Sequence, residues 1–222
     1  RDEKWLSKKK FNNLYLVGGT WRSLFKLHLF QNNHPVHIIH QYSIDNDILS
    51  KFVEKISSFN KSKLKTVEYI SKSRTPYLPY SCIILDEIMK VTNPKNVICS
   101  ISGLREGSLS IDYFKDVKDS EIFYKALENV AQKRGDLGSN YKKYYDFIQP
   151  VFEGNEHFNK KLLYLACVLS HMDWGLGAFQ KAELVFQETI NTPLLRLTHK
   201  ERIQLALSCY WRYCSIKYNP KM

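Results

Sequence analysis

Leu14-Tyr15-Leu16-Val17-Gly18-Gly19-Thr20-Trp21-Arg22-Ser23 is the stretch on which the reading of this chain turns. The apolar run Leu14 to Val17 has the length and composition of a buried strand. Two glycines follow, then Thr20 as an expected N-cap for an amphipathic helix over Trp21–Phe30. A strand that turns through Gly-Gly into a helix exposes backbone N–H groups at the positive end of the helix dipole, a corner suited to phosphate. The alternative is a tight turn without a ligand; Thr20 and Arg22 beside the glycines favour the ligand. A second junction of this kind lies further on, where Val97-Ile98-Cys99-Ser100-Ile101-Ser102 runs into Gly103-Leu104-Arg105-Glu106-Gly107. There Arg105 either clamps a phosphate through two N–H groups or joins Glu106 in structural ion pairs. Two strand-to-glycine-to-helix junctions in one short α/β unit point to a cleft that handles phosphate or a nucleotide.

Working outward, the pattern stays mixed from Phe11 to about Asp116. Val36–Tyr42 reads as a short β segment. Asp45 can cap a helix running to about Phe59, with Ile48, Leu49, Phe52, Val53 and Ile56 on its apolar face. Val67–Ile70 is ambiguous, a helix is expected over Tyr80–Val91, Asn93-Pro94 is a turn, and a helix begins at Leu104 and runs to Phe114. Beyond Asp116 the strand signals stop. Ser120–Gln132, Tyr141–Val151, Asn159–Met172, Phe179–Ile190 and His199–Cys214 all read as helices, punctuated by Gly135, Gly138, Gly154, Gly175, Gly177 and Pro193. Thr198 with Glu201 forms a capping-box pattern. The fold class is therefore α/β followed by all-α, with domains expected at residues 1–117 and 118–222.

The 222 residues are 44% hydrophobic, ordinary for a globular chain, and no apolar run is long enough to span a membrane. The start, Arg1-Asp2-Glu3-Lys4, is charged and no signal-peptide core follows. Because the first residue is not Met and the first clear element is a lone strand, a piece of a longer protein is expected. The net charge of +11 gathers partly at Lys8-Lys9-Lys10 and at Lys61, Lys63, Lys65, Lys72 and Arg74. Such a field attracts polyanions, although a lysine-rich solvated surface explains it equally well. Cys82, Cys99, Cys167, Cys209 and Cys214 lack framework spacing and read as reduced thiols of a cytoplasmic protein.

Other constellations carry less chemistry. His34, His37 and His40 stand three apart, which on a strand alternates faces, so packing is preferred over metal binding. His171 and Asp173 in Leu169-Ser170-His171-Met172-Asp173-Trp174-Gly175 read as a polar helix end rather than a metal or acid–base pair. The aromatics of Tyr141–Phe147 and Tyr210–Tyr213 read as core or interface rather than base-stacking platforms. No serine or cysteine nucleophile motif, CxxC pair or Walker loop occurs.

Three segments together resemble the exopolyphosphatase / guanosine pentaphosphate phosphohydrolase family. They are Leu16–His28 followed by Pro35–His40, then Ile70-Ser71-Lys72-Ser73-Arg74 leading to Leu78-Pro79-Tyr80, then Val97–Gly107. Leu169–Trp174 is similar to a stretch of the family's alphaproteobacterial branch. The resemblance implies two actin-like (ribonuclease H-like) lobes around a phosphate cleft, followed by an HD-like helical domain. It places residues 1–117 in the C-terminal part of the second lobe. It makes residues 118–222 an HD-like domain with a degenerate metal site, since Ser170 and His171 stand where that class carries His and Asp. The first lobe and the catalytic Glu fall outside the matching motifs, so no catalytic residue and no metal ligand is carried over. Gly18, Gly19, Thr20 and Arg22, with Gly103, Arg105, Glu106 and Gly107, become the phosphate-site candidates. The resemblance further implies Mg²⁺ as cofactor, polyphosphate or guanosine pentaphosphate as substrate rather than nucleic acid, no membrane, and a homodimer or a separately encoded first lobe as partner. The chain alone is then expected to be inactive, the alternative function being a non-catalytic polyanion-binding or dimerisation module.

Overall fold

The computed structural model describes residues 11–59, 70–133, 140–156, 158–169, 177–192 and 197–221. The chain divides into two compact units, Arg1–Ser110 and Ile111–Met222. The expectations for Lys8–Lys10, Lys61, Lys63, Lys65, Val67–Tyr69 and Ser170–Gly175 lie outside the described residues.

The first unit is mixed α/β. Strand β1 (Asn13–Val17) leads to helix α1 (Gly19–Gln31), strand β2 (Ser43–Asp45), helix α2 (Asn46–Ser57), a 3₁₀ turn (Thr75–Tyr77) and helix α3 (Leu78–Thr92). Strand β3 (Asn96–Ser100) and helix α4 (Leu104–Tyr113) follow. The sheet order is β1-β3-β2, with β1 parallel and β2 antiparallel to β3. Leu14 and Leu16 oppose Val97 and Cys99. Period-two alternation places all four on one face, where they join Leu24, Phe25, Leu49, Val53, Leu78, Leu85 and Met89 of the three helices in one core. Burying each such side chain contributes about 1.5–3 kcal/mol. The opposite face is open at β1, where Tyr15 and Val17 are exposed.

Local chemistry explains the element ends. The Asp45 carboxylate accepts from the Asp47 N–H at 2.9 Å and caps α2 as expected. Asn93 closes α3 in the left-handed conformation (φ 40°). Two expectations need correction. Thr20 is not a cap: α1 starts at Gly19, with Gly18 at the N-cap and no side-chain capping bond. The β-like run Val36–Tyr42 is not a strand. Gln41 takes a left-handed φ of 59° that breaks the extended run, and the strand forms only at Ser43–Asp45. The run still reaches the sheet at its end, since the Gln41 N–H donates to the Cys99 carbonyl at 2.8 Å.

The second unit is helical: α5 (Asp119–Lys133), α6 (Tyr141–Ile148), a 3₁₀ turn (Gln149–Phe152), α7 (Lys160–Leu169), α8 (Ala178–Asn191) and α9 (His199–Trp211). Helix α6 ends sooner than Val151 because Pro150 has no N–H to continue the ladder. Phe123, Leu127, Leu165, Val168, Val185, Leu205 and Cys209 share its core. Tyr164 meets Tyr124, Tyr141 and Tyr145 at centroid distances of 5.8, 5.3 and 4.5 Å. The expected capping box is present: Glu201 N–H donates to Thr198 Oγ1 (3.2 Å), and Thr198 N–H donates to Glu201 Oε2 (2.8 Å). No helix among the described residues is long and apolar enough to cross a membrane.

Candidate functional site

Parallel strands end at the same edge of a sheet, and ligands of α/β folds bind outside that edge. Here β1 and β3 are neighbours, with Val17 opposite Ser100, so both glycine corners open at one edge. A Cβ built on Gly103 would lie 3.6 Å from Val17 Cγ1, so the two corners are in reach of each other.

The first corner needs both its glycines, for different reasons. Gly18 has φ 133°, a conformation that a side chain disfavours, and this lets β1 turn directly into α1. Gly19 is helical, but a Cβ there would collide with the Arg74 guanidinium. Arg74 Nη1 donates to the Gly19 carbonyl at 3.3 Å, and Ser23 Oγ donates to the same carbonyl at 3.0 Å. Arg22, half-buried on the first turn of α1, points its Nε–H to the Gly18 carbonyl at 3.4 Å. Two guanidinium groups thus lie against the glycine corner.

The second corner is capped from within. Gly103 N–H donates to Glu106 Oε2 at 2.6 Å, which answers one of the orphan donors at the start of α4. This bond, more than any other influence, holds the Glu106 carboxyl below the ordinary glutamate range, with the Arg105 and Arg22 charges adding to it. Glu106 is therefore a cap rather than an ion-pair partner seated on the sheet. Arg105 is exposed on the first turn of α4. Gly107 lies inside α4, its N–H donating to the Gly103 carbonyl at 3.0 Å, and a Cβ there would meet open space. It belongs to the helix rather than to the turn that precedes it. Cys99, next to this edge, has its thiol pushed up to about 12 by burial, which favours the protonated form over the thiolate.

The structure gathers Gly18, Gly19, Arg22, Gly103 and Glu106 and places Thr20 in the first turn of α1. Arg74 is the residue that site reasoning missed. Its signals were present, as a member of the basic cluster and the end of the Ile70–Arg74 segment, but nothing in the spacing connects it to Gly19 across fifty-five positions. Two of the three histidines make separate backbone contacts. His34 Nδ1 contacts the backbone of Val36, and His40 Nδ1 accepts from the Ile101 N–H at 3.3 Å.

The donor set does not suit Mg²⁺. That ion requires near-octahedral oxygen ligands, usually including one or two carboxylates. The corner presents the guanidinium groups of Arg22 and Arg74, and the carboxylate of Glu106 is already engaged by a backbone N–H. In the helical unit, a shallow groove of about 480 Å³ is lined by Phe152, Glu153, Glu156, Phe158 and Lys160, a mixed set of charges without an anion cradle.

No curated protein matches the chain. Residues 3–113, half of its length, match the Ppx/GppA phosphatase family, and that span contains both glycine corners, Arg22, Arg74 and the sheet edge that brings them together. The chain belongs to the Ppx/GppA phosphatase family.

Proposed function

We propose that this chain holds the phosphoanhydride chain of polyphosphate or guanosine pentaphosphate, as the substrate-binding part of an exopolyphosphatase-type phosphohydrolase. The observation that carries this reading is the convergence of Gly18, Gly19, Arg22 and Arg74 at the end of β1, beside the β3 corner. Releasing a terminal phosphate needs donors that stabilise charge on the transferring group, together with a base that activates water. Guanidinium groups supply the first requirement. The carboxylate of the second corner, Glu106, is a poor base, because a hydrogen bond to Gly103 favours its ionised form. Binding without turnover follows.

The same reading takes the first unit as part of an actin-like lobe, supported by the parallel β1–β3 pair with its crossover of helices, and the second as an HD-like helical domain. It takes a homodimer or a separately encoded first lobe as the source of the base. A cytoplasmic location is supported by the free thiols of Cys82, Cys99, Cys167, Cys209 and Cys214. Any divalent ion is taken to arrive with the phosphate chain rather than on protein ligands.

The test is equilibrium binding of defined-length polyphosphate to the purified chain, with orthophosphate release followed in parallel, with and without Mg²⁺. Micromolar binding that weakens steeply with salt, without release, is the expected result. Release at the rate of a complete exopolyphosphatase would refute the non-catalytic assignment. Tighter binding to single-stranded RNA than to polyphosphate would move the chain to the general polyanion-binding class.

A further inference from the structure

We propose that Gly19 is a seat for the Arg74 guanidinium, and that its missing side chain serves this arginine rather than the backbone. The inference rests on the anion-site reading above and assigns a positioning role within it. The backbone makes no demand for glycine at position 19. The position is helical, and the unusual φ of the corner belongs to Gly18 alone. Space is the constraint. A Cβ at Gly19 would overlap the centre of the guanidinium and crowd Nη1 (2.6 Å) and Nη2 (2.5 Å), whereas a Cβ at Gly18 would meet nothing closer than 3.5 Å and one at Gly107 nothing at all.

Arg74 is brought to this seat by a braced turn. Its N–H donates to the Ser71 carbonyl (2.8 Å), its carbonyl accepts from the Tyr77 N–H (3.0 Å), and Thr75 Oγ1 donates to the Ser71 carbonyl (3.2 Å). Buried Ile70, Thr75 and Leu78 fix the turn on the core. The Gly19 carbonyl takes one of five guanidinium N–H donors, and no carboxylate pairs with the group among the described residues. The charge is therefore parked on the first turn of α1, beside Arg22, where it can be shared with an anion.

Because the colliding atoms are the far end of a flexible side chain, Gly19→Ala displaces the arginine without disturbing the fold. This separates positioning from structure. The experiment uses the whole chain as wild type, Gly19→Ala, Arg74→Ala, the double variant and Gly107→Ala. Polyphosphate affinity is measured by calorimetry, thermal midpoints are recorded, and the Arg74 Nε–Hε resonance is followed by NMR. Gly19→Ala and Arg74→Ala are each expected to weaken binding about five- to tenfold, and the double variant no further, since both remove the same contact. Gly107→Ala should bind as wild type. The Arg74 resonance should shift in Gly19→Ala while the midpoint stays within about 2 °C of wild type. Wild-type affinity in Gly19→Ala, additive losses in the double variant, or an unmoved resonance would each overturn the seat. If the wild-type chain fails to bind polyphosphate, the anion-site reading falls by itself, and the resonance still decides whether Gly19 places Arg74.

Discussion

His28 lies on the buried face of α1, 6% exposed, with Nδ1 3.1 Å from the Tyr42 hydroxyl and its ring edge-on to Phe52 at 4.9 Å. Burial, helped by the nearby His34 charge, lowers its pKa below the ordinary 6.5. For a base with a depressed folded pKa, the unfolded chain takes up the proton first. The contribution of His28 to the stability of the α/β unit is therefore complete above pH 6.5 and is lost as the pH drops through the folded pKa. Thermal melts between pH 7.5 and 5 should show this loss, and His28→Leu should flatten it while costing the Tyr42 hydrogen bond at neutral pH. An unchanged slope in the variant would place the acid sensitivity elsewhere. At this same scale, Gly18 was readable as a turn glycine from its neighbours, because strand, glycine and helix are consecutive. The role of Gly19 was not, because its partner, Arg74, is supplied by a different segment.

At the scale of elements, the helical unit ties two helix starts to one carboxylate. Glu201 closes the capping box of α9, and its Oε1 accepts from Asn159 Nδ2 at 3.3 Å. Asn159 Oδ1 in turn accepts from the N–H groups of Lys161 and Leu162 at the start of α7. Glu201→Ala should cost about 1–2 kcal/mol, the upper end of a single cap, because it loosens both helices. Glu201→Gln should recover most of that. Chemical denaturation of the three proteins checks it, and equal midpoints would deny the shared cap. The Thr198–Glu201 half was legible from spacing, since a capping box is local, whereas the Asn159 link joins positions forty-two apart. The sheet shows the reverse situation. Parallel strands normally have both faces covered, yet Tyr15 and Val17 of β1 are exposed and β1 has a partner on one side only among the described residues. The apolar run Leu14–Val17 predicted a strand, but not that one of its faces would lie open.

On the scale of the whole molecule, two cores are assembled from different residues, one around Leu16, Phe25 and Leu85 and the other around Leu127, Leu165 and Leu205. Separate cores predict separable melting. Leu165→Ala, at a fully buried position, should destabilise by about 2–5 kcal/mol and move only one of two calorimetric transitions. A single transition that shifts as a whole would mean that the units unfold together.

The sequence by itself determined the order of elements, the change from α/β to all-α, and the caps at Asp45 and Thr198. All of these follow from periodicity and from interactions within a few residues. Tertiary structure alone decided that β1 and β3 are parallel neighbours, that both glycine corners share one edge, that Glu106 fills the second corner, and that Arg74 covers the first. Strand pairing and long side-chain reach depend on segments far apart in the chain. The energies that select them come from a core that exists only once those segments have met.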